Sequence, residues 1–311
     1  MTPRQTAERV ASLPTERTLT DALPQSPGLL SSEMPSEYFD QDRKPADFFE
    51  RMRPTFNVES EWLSAAGEVG IFSYGAKMNV PTYPIFGPPP PLIQLGFSQT
   101  QFWETGNQHL PNHLSDFTFG VSWVRRLNDR WTLRMMTNAA FASDGDNTSG
   151  DAWQFRGDVF AIYSRDPQWI WTVGVLALGR NDLPAVPAIG LIWQPSEQVM
   201  LDLILPRPRL RVLLRDGETR QQWGYVGGGF SGGTWAYQQS DGSDDQVTYG
   251  DWRLVIGWES VPHVKPGVPF QRGRKLGIEA GYSFARDIEF DSQRPTIDLG
   301  ETFLLRTTLT F

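Results

Sequence analysis

The amino-acid sequence has no cysteine and only three histidines among its 311 residues. The absence of cysteine excludes disulfide scaffolds, thiolate nucleophiles and Cys-ligated zinc or iron–sulfur sites. No run of apolar residues reaches the ~18 that a transmembrane helix needs, so that class is excluded as well. The 28 Lys and Arg stand against 36 Asp and Glu, which gives a net charge of -8. This balance leaves no basic surface for nucleic acid as the main partner.

Aromatic residues, glycine and proline are abundant. Aromatics make up 13% of the chain, including 12 Trp and 19 Phe, and there are 29 Gly and 24 Pro. Side chains and turn-forming residues of this kind are typical of β-structure. The sequence therefore predicts an all-β fold.

Residues 1–60 are predicted to form a polar, flexible N-terminal extension, and residues 61–311 a single β-domain. The first 45 residues show no sustained period of 2 or 3.6, and a short helix is predicted at residues 45–52. The start of the chain does not resemble a secretory signal, which needs a basic start and ~7–15 apolar residues. We therefore expect that the chain was cut, that its start was placed too late, or that it is not exported.

From about Glu68 onward, apolar and polar residues alternate, which is the signature of strands with one apolar face. The alternation recurs in about 12 segments of roughly 8–14 residues, close to the ~9–11 that a tilted strand needs to cross a bilayer. In one such segment the apolar positions are Phe117, Phe119, Val121 and Trp123.

The connections between these segments alternate between short turns, such as residues 127–130, and longer polar loops, such as residues 142–151. This asymmetry is typical of outer-membrane barrels. Tryptophans are predicted to begin strands where an interfacial girdle would lie; they are Trp131, Trp153, Trp169, Trp223 and Trp252. The alternative is that these residues pack over the core of a soluble protein.

The chain must reverse direction within residues 200–215 if two predicted turns, at residues 194–198 and 216–221, lie on the same periplasmic side. The Pro206-Arg207-Pro208 segment is the candidate, because proline cannot serve a central position of a strand ladder. The alternative is one kinked strand with a shifted parity upstream.

The face opposite the aromatic residues carries charges of both signs in equal number. A lumen with this lining is either a wet, weakly selective pore or a barrel closed by Arg–carboxylate networks. The candidate lumen-lining residues are Asp116, Arg134, Arg156, Asp158, Asp251, Arg253, Glu279 and Arg306.

Two resemblances to known proteins support this interpretation. The terminal run FLLRTTLTF resembles the assembly signal of bacterial outer-membrane proteins through Phe303, Leu305, Leu309 and Phe311, with Thr307 as a mild departure. Four blocks within residues 62–311 are similar to an uncharacterised bacterial family of presumed outer-membrane β-barrels. The blocks are PIFGPPPP at 84–91, GLIWQP at 190–195, LPRPR at 205–209 and WGYVGGGF at 223–230. The family implies a fold and no activity.

No local motif predicts chemistry. His109 and His113 have i, i+4 spacing, but Pro111 between them breaks the helix that a shared metal would need. His263 lies in a proline-rich turn. The glycine-rich segment 224–233 lacks the Lys-Ser/Thr ending of a phosphate loop and is better explained by a bend in a barrel sheet. We therefore expect no catalytic residue, metal site or cofactor.

These patterns together predict a single antiparallel transmembrane-type β-barrel of about 12 strands in a bacterial outer membrane, with a passive transport or structural role. The expected partners are outer-membrane lipid, the barrel-assembly machinery and small solutes. The rivals are an exported soluble β-sandwich or barrel that binds glycans through surface tryptophans, and a barrel hydrolase acting on lipid or peptide. The residues predicted to face lipid are Phe119, Trp123, Leu133, Val173, Leu254, Ile278 and Leu305.

Overall fold

The computed structural model describes residues 54–65, 69–85, 90–103, 109–166, 168–180, 184–205, 207–262, 274–292 and 294–311. The predicted helix at 45–52 and His263 lie outside these residues. The strands are β1 (Thr55–Leu63), β2 (Gly70–Pro81), β3 (Leu92–Trp103), β4 (His113–Arg126), β5 (Trp131–Ser143), β6 (Trp153–Asp166), β7 (Trp169–Ala177), β8 (Ala185–Ser196), β9 (Val199–Asp202), β10 (Arg209–Asp216), β11 (Arg220–Gln238), β12 (Asp244–Pro262), β13 (Lys275–Phe290), β14 (Ile297–Leu299) and β15 (Thr302–Thr310). One turn of 3₁₀ helix, Gly150–Ala152, precedes β6. Among the described residues, no helix has the length and apolar character that crossing a membrane requires.

Fourteen of these strands form a closed antiparallel barrel. From β1 to β13 each strand pairs with the next one along the chain, β13 also pairs with β15, and β15 pairs with β1. The remaining strand, β14, pairs only with β13, where it continues the ladder that β15 makes with the rest of β13. Closure leaves the ring without the open edges that an unclosed sheet would expose.

The predicted count of about 12 strands is too low by two for the barrel. One additional strand is β1, which begins at Thr55, inside the predicted extension of residues 1–60. The other arises because β9 and β10 run in opposite directions, and residues 203–208 connect them. The predicted reversal in this stretch is therefore confirmed. Leu203 and Leu205 still donate backbone hydrogen bonds to β8, so the chain turns only after Leu205.

Alternation along the strands places apolar side chains on the outside of the barrel. In β4, Phe117 and Phe119 are 54% and 55% exposed, whereas Asp116 and Ser122 on the other parity are buried. Five of the seven residues that were predicted to face lipid are exposed, and Trp123 and Leu133 are half-buried on the same outer parity. The outer surface of the closed barrel is therefore apolar, and the charged side chains of the strands lie on its inner face.

The predicted tryptophan girdle is only partly present. Trp131, Trp153 and Trp169 are the first residues of β5, β6 and β7, and all three are exposed. The prediction is wrong for Trp223, which is buried on the inner face of β11, because an arginine lies over its ring. It is also wrong for Trp252, which is exposed but lies in the middle of β12.

The two ends of the barrel have different connections. We call the end that carries Phe311 the turn end and the opposite end the loop end. Four of the six turn-end connections have two to four residues, and the other two are residues 82–91 and 263–274. Every loop-end connection has at least five residues. The predicted asymmetry therefore holds with two exceptions.

The hairpin of β11 and β12 departs from the wall. Each strand has 19 residues. In the wall half, residues 220–230 and 252–262, buried and exposed side chains largely alternate; in the inner half, residues 231–238 and 244–251, most side chains on both faces are buried. At the far end Ala236 pairs in parallel with Ser143 of β5, a strand that lies across the ring from β11. The inner half therefore crosses the interior of the barrel.

Two apolar clusters fill the interior beside the inner half. The first joins its Tyr237 and Val247 to side chains of β1–β5 and β13–β15, including the fully buried Leu63 and Leu114. The second joins β5–β8 to Ile204 in the β9–β10 connection. The first cluster packs the loop end of the barrel like the core of a soluble domain, and the second extends as far as Ile170, close to the turn-end start of β7.

Candidate functional site: the charged interior

All eight predicted lumen-lining residues lie on the inner face of the barrel, and every one has a buried or nearly buried side chain. Three pairs form among them. Arg156 Nη1 lies 2.5 Å from Asp116 Oδ2, Arg134 Nε lies 3.7 Å from Asp158 Oδ1, and Arg253 Nε lies 2.8 Å from Asp251 Oδ2. The remaining two, Glu279 and Arg306, have partners that the sequence analysis did not identify.

Arg306 and Arg253 are anchored by the first strand. Arg306 Nη2 donates to Glu59 Oε2 at 2.7 Å, and Arg253 Nη1 donates to Glu61 Oε2 at 2.6 Å. Both glutamates project inward from β1, of which the sequence analysis assigned residues 55–60, including Glu59, to the N-terminal extension. The alternation of Phe56, Val58 and Trp62 with polar residues is the signal that could have identified this strand.

The turn-end half of the interior contains a second group of charges. Tyr225 donates its hydroxyl to Glu279 Oε2 at 3.0 Å, and Arg209 Nη2 lies 3.6 Å from the same oxygen. Arg211 pairs with Glu259, and its guanidinium lies 5.2 Å from the centre of the Trp223 ring. Because each buried charge needs a partner of opposite sign or a set of hydrogen bonds, these pairs link the inner faces of β10, β11, β12 and β13.

The inner half of the β11–β12 hairpin lacks a continuous strand partner on its β11 side, because β10 pairs with β11 only as far as Gly227. On the other side, β12 still pairs with β13 as far as Val247↔Phe290. The carbonyls on the β11 side are satisfied one at a time by donors from elsewhere in the barrel. The donors are Arg207 to Phe230, Arg180 to Ser231, Gln154 to Thr234, the backbone N–H of Asp144 to Ala236, and Asn147 to Tyr237. A buried backbone carbonyl without a donor is costly, so these contacts hold the inner half in place.

Glycine permits the bend at which β11 leaves the wall. Gly229 and Gly232 have φ angles of 148° and 131°, which side-chain-bearing residues rarely adopt. A Cβ atom on Gly232 would lie 1.9 Å from the carbonyl oxygen of Tyr249. The glycine-rich segment therefore serves the sheet geometry, as the sequence analysis expected.

A central cavity of about 140 Å³ remains between the charged wall and the inner half of the hairpin. Residues 231–235 of β11 line it on one side, and β1–β4 line it on the other. Its charged lining comprises Glu59, Glu61, Lys77, Asp116, Arg156, Arg253 and Arg306. The interior is thus a small polar chamber within an otherwise packed barrel.

Residues 92–295, about two-thirds of the chain, match a family model described as a domain of unknown function, DUF6268. The chain belongs to the DUF6268 family. The predicted resemblance to an uncharacterised family of β-barrels is therefore confirmed. No curated protein matches the chain.

This DUF6268 protein is similar to several solved outer-membrane β-barrels. It shares 11% identity with the NanC porin, over 82% of this chain and 98% of that chain, at a TM-score of 0.37. It shares 13% with the COG4313 outer membrane channel from Pseudomonas putida F1, over 86% and 99%, at 0.39. It shares 6% with the Pseudomonas putida toluene transporter TodX, over 86% and 91%, at 0.33. Identities and TM-scores this low transfer neither an activity nor a solute to this chain.

The histidines of the DUF6268 protein do not form a site within the described residues. His109 and His113 are both exposed, and β4 begins at His113. No group of three or more His, Cys, Asp or Glu in the described part of the chain could hold a metal ion.

The acidic pair at the β11–β12 loop has a structural role. Asp244 is exposed, but Asp245 is buried and accepts hydrogen bonds from Tyr237 at 2.9 Å and from Ser292 at 2.7 Å. Asp245 is therefore a buried structural carboxylate, although it lies beside a surface loop. In the same loop the hydroxyl and backbone N–H of Ser243 donate to Asp241, which lowers the pKa of Asp241.

The predicted assembly-signal residues lie on the strand that closes the barrel. Phe303 and Leu305 are exposed on the outer face, and Leu309 is half-buried. Phe311 exchanges two backbone hydrogen bonds with Phe56, and the two rings stack with centres 5.8 Å apart. Recognition of this strand by an assembly machinery remains a prediction.

Proposed function

We propose that this protein is a passive β-barrel of the bacterial outer membrane, whose own β11–β12 hairpin keeps the lumen closed in the described state. Small polar solutes would pass when the inner half of the hairpin moves. The observation that carries the membrane assignment is the inside-out distribution of side chains. Leu254 and Ile256 are 62% and 63% exposed on the outer face of β12, while Arg253, which precedes Leu254 on the inner parity, is buried. An apolar outer surface is favourable in contact with a lipid bilayer and unfavourable in contact with water.

The closed state is supported by the packing of the interior. Phe160, Leu114 and Ile204 have no exposed surface, although all three belong to the interior of a closed 14-stranded ring. An open pore of this strand number would leave side chains of the inner wall in contact with water. In this barrel the lumen is obstructed by a hairpin whose strands also form part of the wall. A barrel closed by Arg–carboxylate networks would be narrowed only by charged side chains.

Membrane location is tested by expressing the chain in a bacterium and assaying the membrane fraction for heat-modifiable migration on a denaturing gel. Cysteines placed at Leu254, Val173 and Ile278 should react with lipid-soluble probes and resist aqueous ones. A protein that stays folded without detergent and reacts with aqueous probes would instead support the soluble glycan-binding rival. Labelling by a serine-reactive probe would support the rival hydrolase.

Closure by the hairpin is tested by conductance in planar lipid bilayers. The wild-type barrel should conduct little, whereas replacing residues 233–249 by an Asn-Gly turn should produce steady conductance. The replacement joins the cross-strand partners Gly232 and Gly250, and Asn-Gly favours a two-residue hairpin turn. Substituting Arg156 and Arg253 by alanine, with the hairpin intact, is the control and should leave conductance low. Conductance in that control but not in the shortened variant would contradict closure by the hairpin.

The open barrel is expected to discriminate weakly between ions of opposite sign. The eight predicted wall charges comprise four of each sign, and six further residues that form ion pairs with them or with one another comprise three of each sign. These six are Glu59, Glu61, Lys77, Arg209, Arg211 and Glu259. Strong selectivity of the shortened variant would contradict the proposed lumen.

A further inference from the structure

The central cavity exists because one side of the barrel presents small side chains to the interior. The inward positions of β2–β4 that line the cavity include four hydroxyl-bearing residues, Ser73, Ser98, Thr100 and Thr118. Other strands contribute Arg156, Arg253 and Arg306 to the lining. At about 140 Å³ the space is close to the ~150 Å³ of a cavity that holds one benzene molecule, so it suits a ligand of about six non-hydrogen atoms.

Lys77 is the unusual member of the lining. Its ammonium nitrogen is buried and has no hydrogen-bond partner within the described protein. The nearest carboxylate oxygen, Glu59 Oε1, is 3.7 Å away, which is an ion pair and too long for a hydrogen bond. An ammonium group has three hydrogens to donate, and burying it with none of them bonded is costly.

The carboxylates around Lys77 are already engaged by arginines. Glu59 accepts from Arg306, Glu61 accepts from Arg253, and Asp116 pairs with Arg156, all at 2.7 Å or less. The charged lining of the cavity then holds four basic groups against three acidic ones. The acceptor that Lys77 requires must therefore come from within the cavity, and the local charge balance favours an acceptor that is itself negative.

The hydroxyls of the cavity supply further donors. Ser73 Oγ and Thr100 Oγ1 are 3.0 Å apart and share one hydrogen bond. Two hydroxyls have two hydrogens, and this contact uses only one of them. One hydrogen of the pair therefore stays available to a ligand in the same space as the Lys77 ammonium.

We propose that the central cavity binds a small oxyanion, a carboxylate or a phosphate-type group on a molecule of about six non-hydrogen atoms, with the Lys77 ammonium as its principal anchor. Water alone would supply acceptors for Lys77 without supplying the negative charge. The site lies directly beside residues 231–235 of the inner half, so the hairpin that closes the barrel also covers the ligand.

The test is isothermal titration calorimetry of the full-length barrel folded in detergent, with sodium acetate and sodium phosphate as probes and sodium chloride at matched ionic strength as the reference. We expect saturable binding of at least one oxyanion and at least a tenfold loss of affinity in Lys77→Met. The matched control is Lys275→Met, at the turn-end start of β13, which should bind like the wild type. Which probe binds distinguishes a carboxylate ligand from a phosphate-type ligand.

Three outcomes overturn the proposal: no saturable binding of either probe, equal binding by Lys77→Met, or binding that chloride reproduces. If Lys77→Met fails to fold, Thr118→Val removes a lining hydroxyl without changing charge and should weaken binding several-fold; unchanged affinity there would count against the site. The measurement needs neither a membrane nor conductance, so its failure is separable from failure of the proposed transport role.

Discussion

The two halves of the β11–β12 hairpin have the same backbone pairing and different surroundings. Along the wall half, Val226, Leu254 and Ile256 face outward and are exposed. Along the inner half, Trp235 and Val247 lie in an apolar cluster and are buried. The cross-strand register continues without interruption from Arg220↔Pro262 to Gln238↔Asp244. One continuous ladder therefore forms barrel wall over half its length and packs inside the barrel over the other half.

The comparison shows what a strand needs in order to leave a barrel wall. The wall half of β11 bonds to strands on both sides, whereas the inner half has β12 on one side and individual donors on the other. Backbone groups have no water to bond with in a packed interior, so every lost strand partner must be replaced by a side chain or a loop N–H. The following predictions test this difference.

The largest effect is expected at the bend between the halves. Gly232→Ala should destabilise the folded barrel by roughly 3 kcal/mol, since it adds a Cβ that collides with the Tyr249 carbonyl at a φ that favours glycine. Gly242→Ala is the matched control, because Gly242 also has a positive φ but open space around its Cβ position. That control should cost about 1 kcal/mol. Urea titration of the heat-modifiable band measures both, and equal costs would mean that the bend is not strained as described.

An intermediate effect is expected from truncating one side chain in each half. Val247→Ala should cost about 2 kcal/mol, because Val247 is fully buried in the inner half. Leu254→Ala in the wall half should cost less than about 1 kcal/mol in detergent, because its side chain stays in contact with apolar solvent in the folded state. Urea unfolding of both variants is the measurement. A larger loss for Leu254→Ala would reverse the assignment of the two halves.

The smallest effect is expected from removing one donor to the inner half of β11. Gln154→Ala leaves the Thr234 carbonyl without its 2.8 Å hydrogen bond and should cost about 1 kcal/mol. Its informative readout is amide hydrogen exchange, which should accelerate at residues 234–237. Gln94→Ala, which removes a 3.1 Å hydrogen bond to Asn79 within the wall, is the control and should leave exchange at those residues unchanged. Identical exchange in both variants would mean that Gln154 does not help to hold the inner half in place.

The wall of this barrel was predictable from sequence because an apolar outer face and a more polar inner face impose a period of two. The alternation around Phe117 and Phe119 predicted which residues face outward, and the prolines at 206–208 predicted the extra reversal, because their missing N–H groups exclude a central strand. The charged residues Asp116 and Arg156 followed from the same parity.

The inner half was not predictable in the same way. The run Thr234-Trp235-Ala236-Tyr237 is buried on both faces and therefore has no alternation to detect. The cavity was missed for a related reason. Lys77 is a single charge on β2, and the other charged residues of the lining come from β1, β4, β6, β12 and β15. Only the three-dimensional closure of the ring brings these residues together. The glycine-rich segment before Trp235 was the one local sign that β11 bends.

The most direct test of the account is a disulfide between the inner half and the strand across the ring. The natural chain has no cysteine, so a Ser143→Cys/Ala236→Cys variant contains one reactive pair, at positions that are paired in the β5–β11 register. Paired strand positions lie within the ~4.4–6.8 Å between Cα atoms that a disulfide requires. Mild oxidation of the folded, heat-modifiable protein should cross-link most of this variant and little of an Ala185→Cys/Ala236→Cys variant, which would bond only if the inner half stood in the wall beside β8. Efficient bonding of the second pair and none of the first would contradict a hairpin that crosses the barrel.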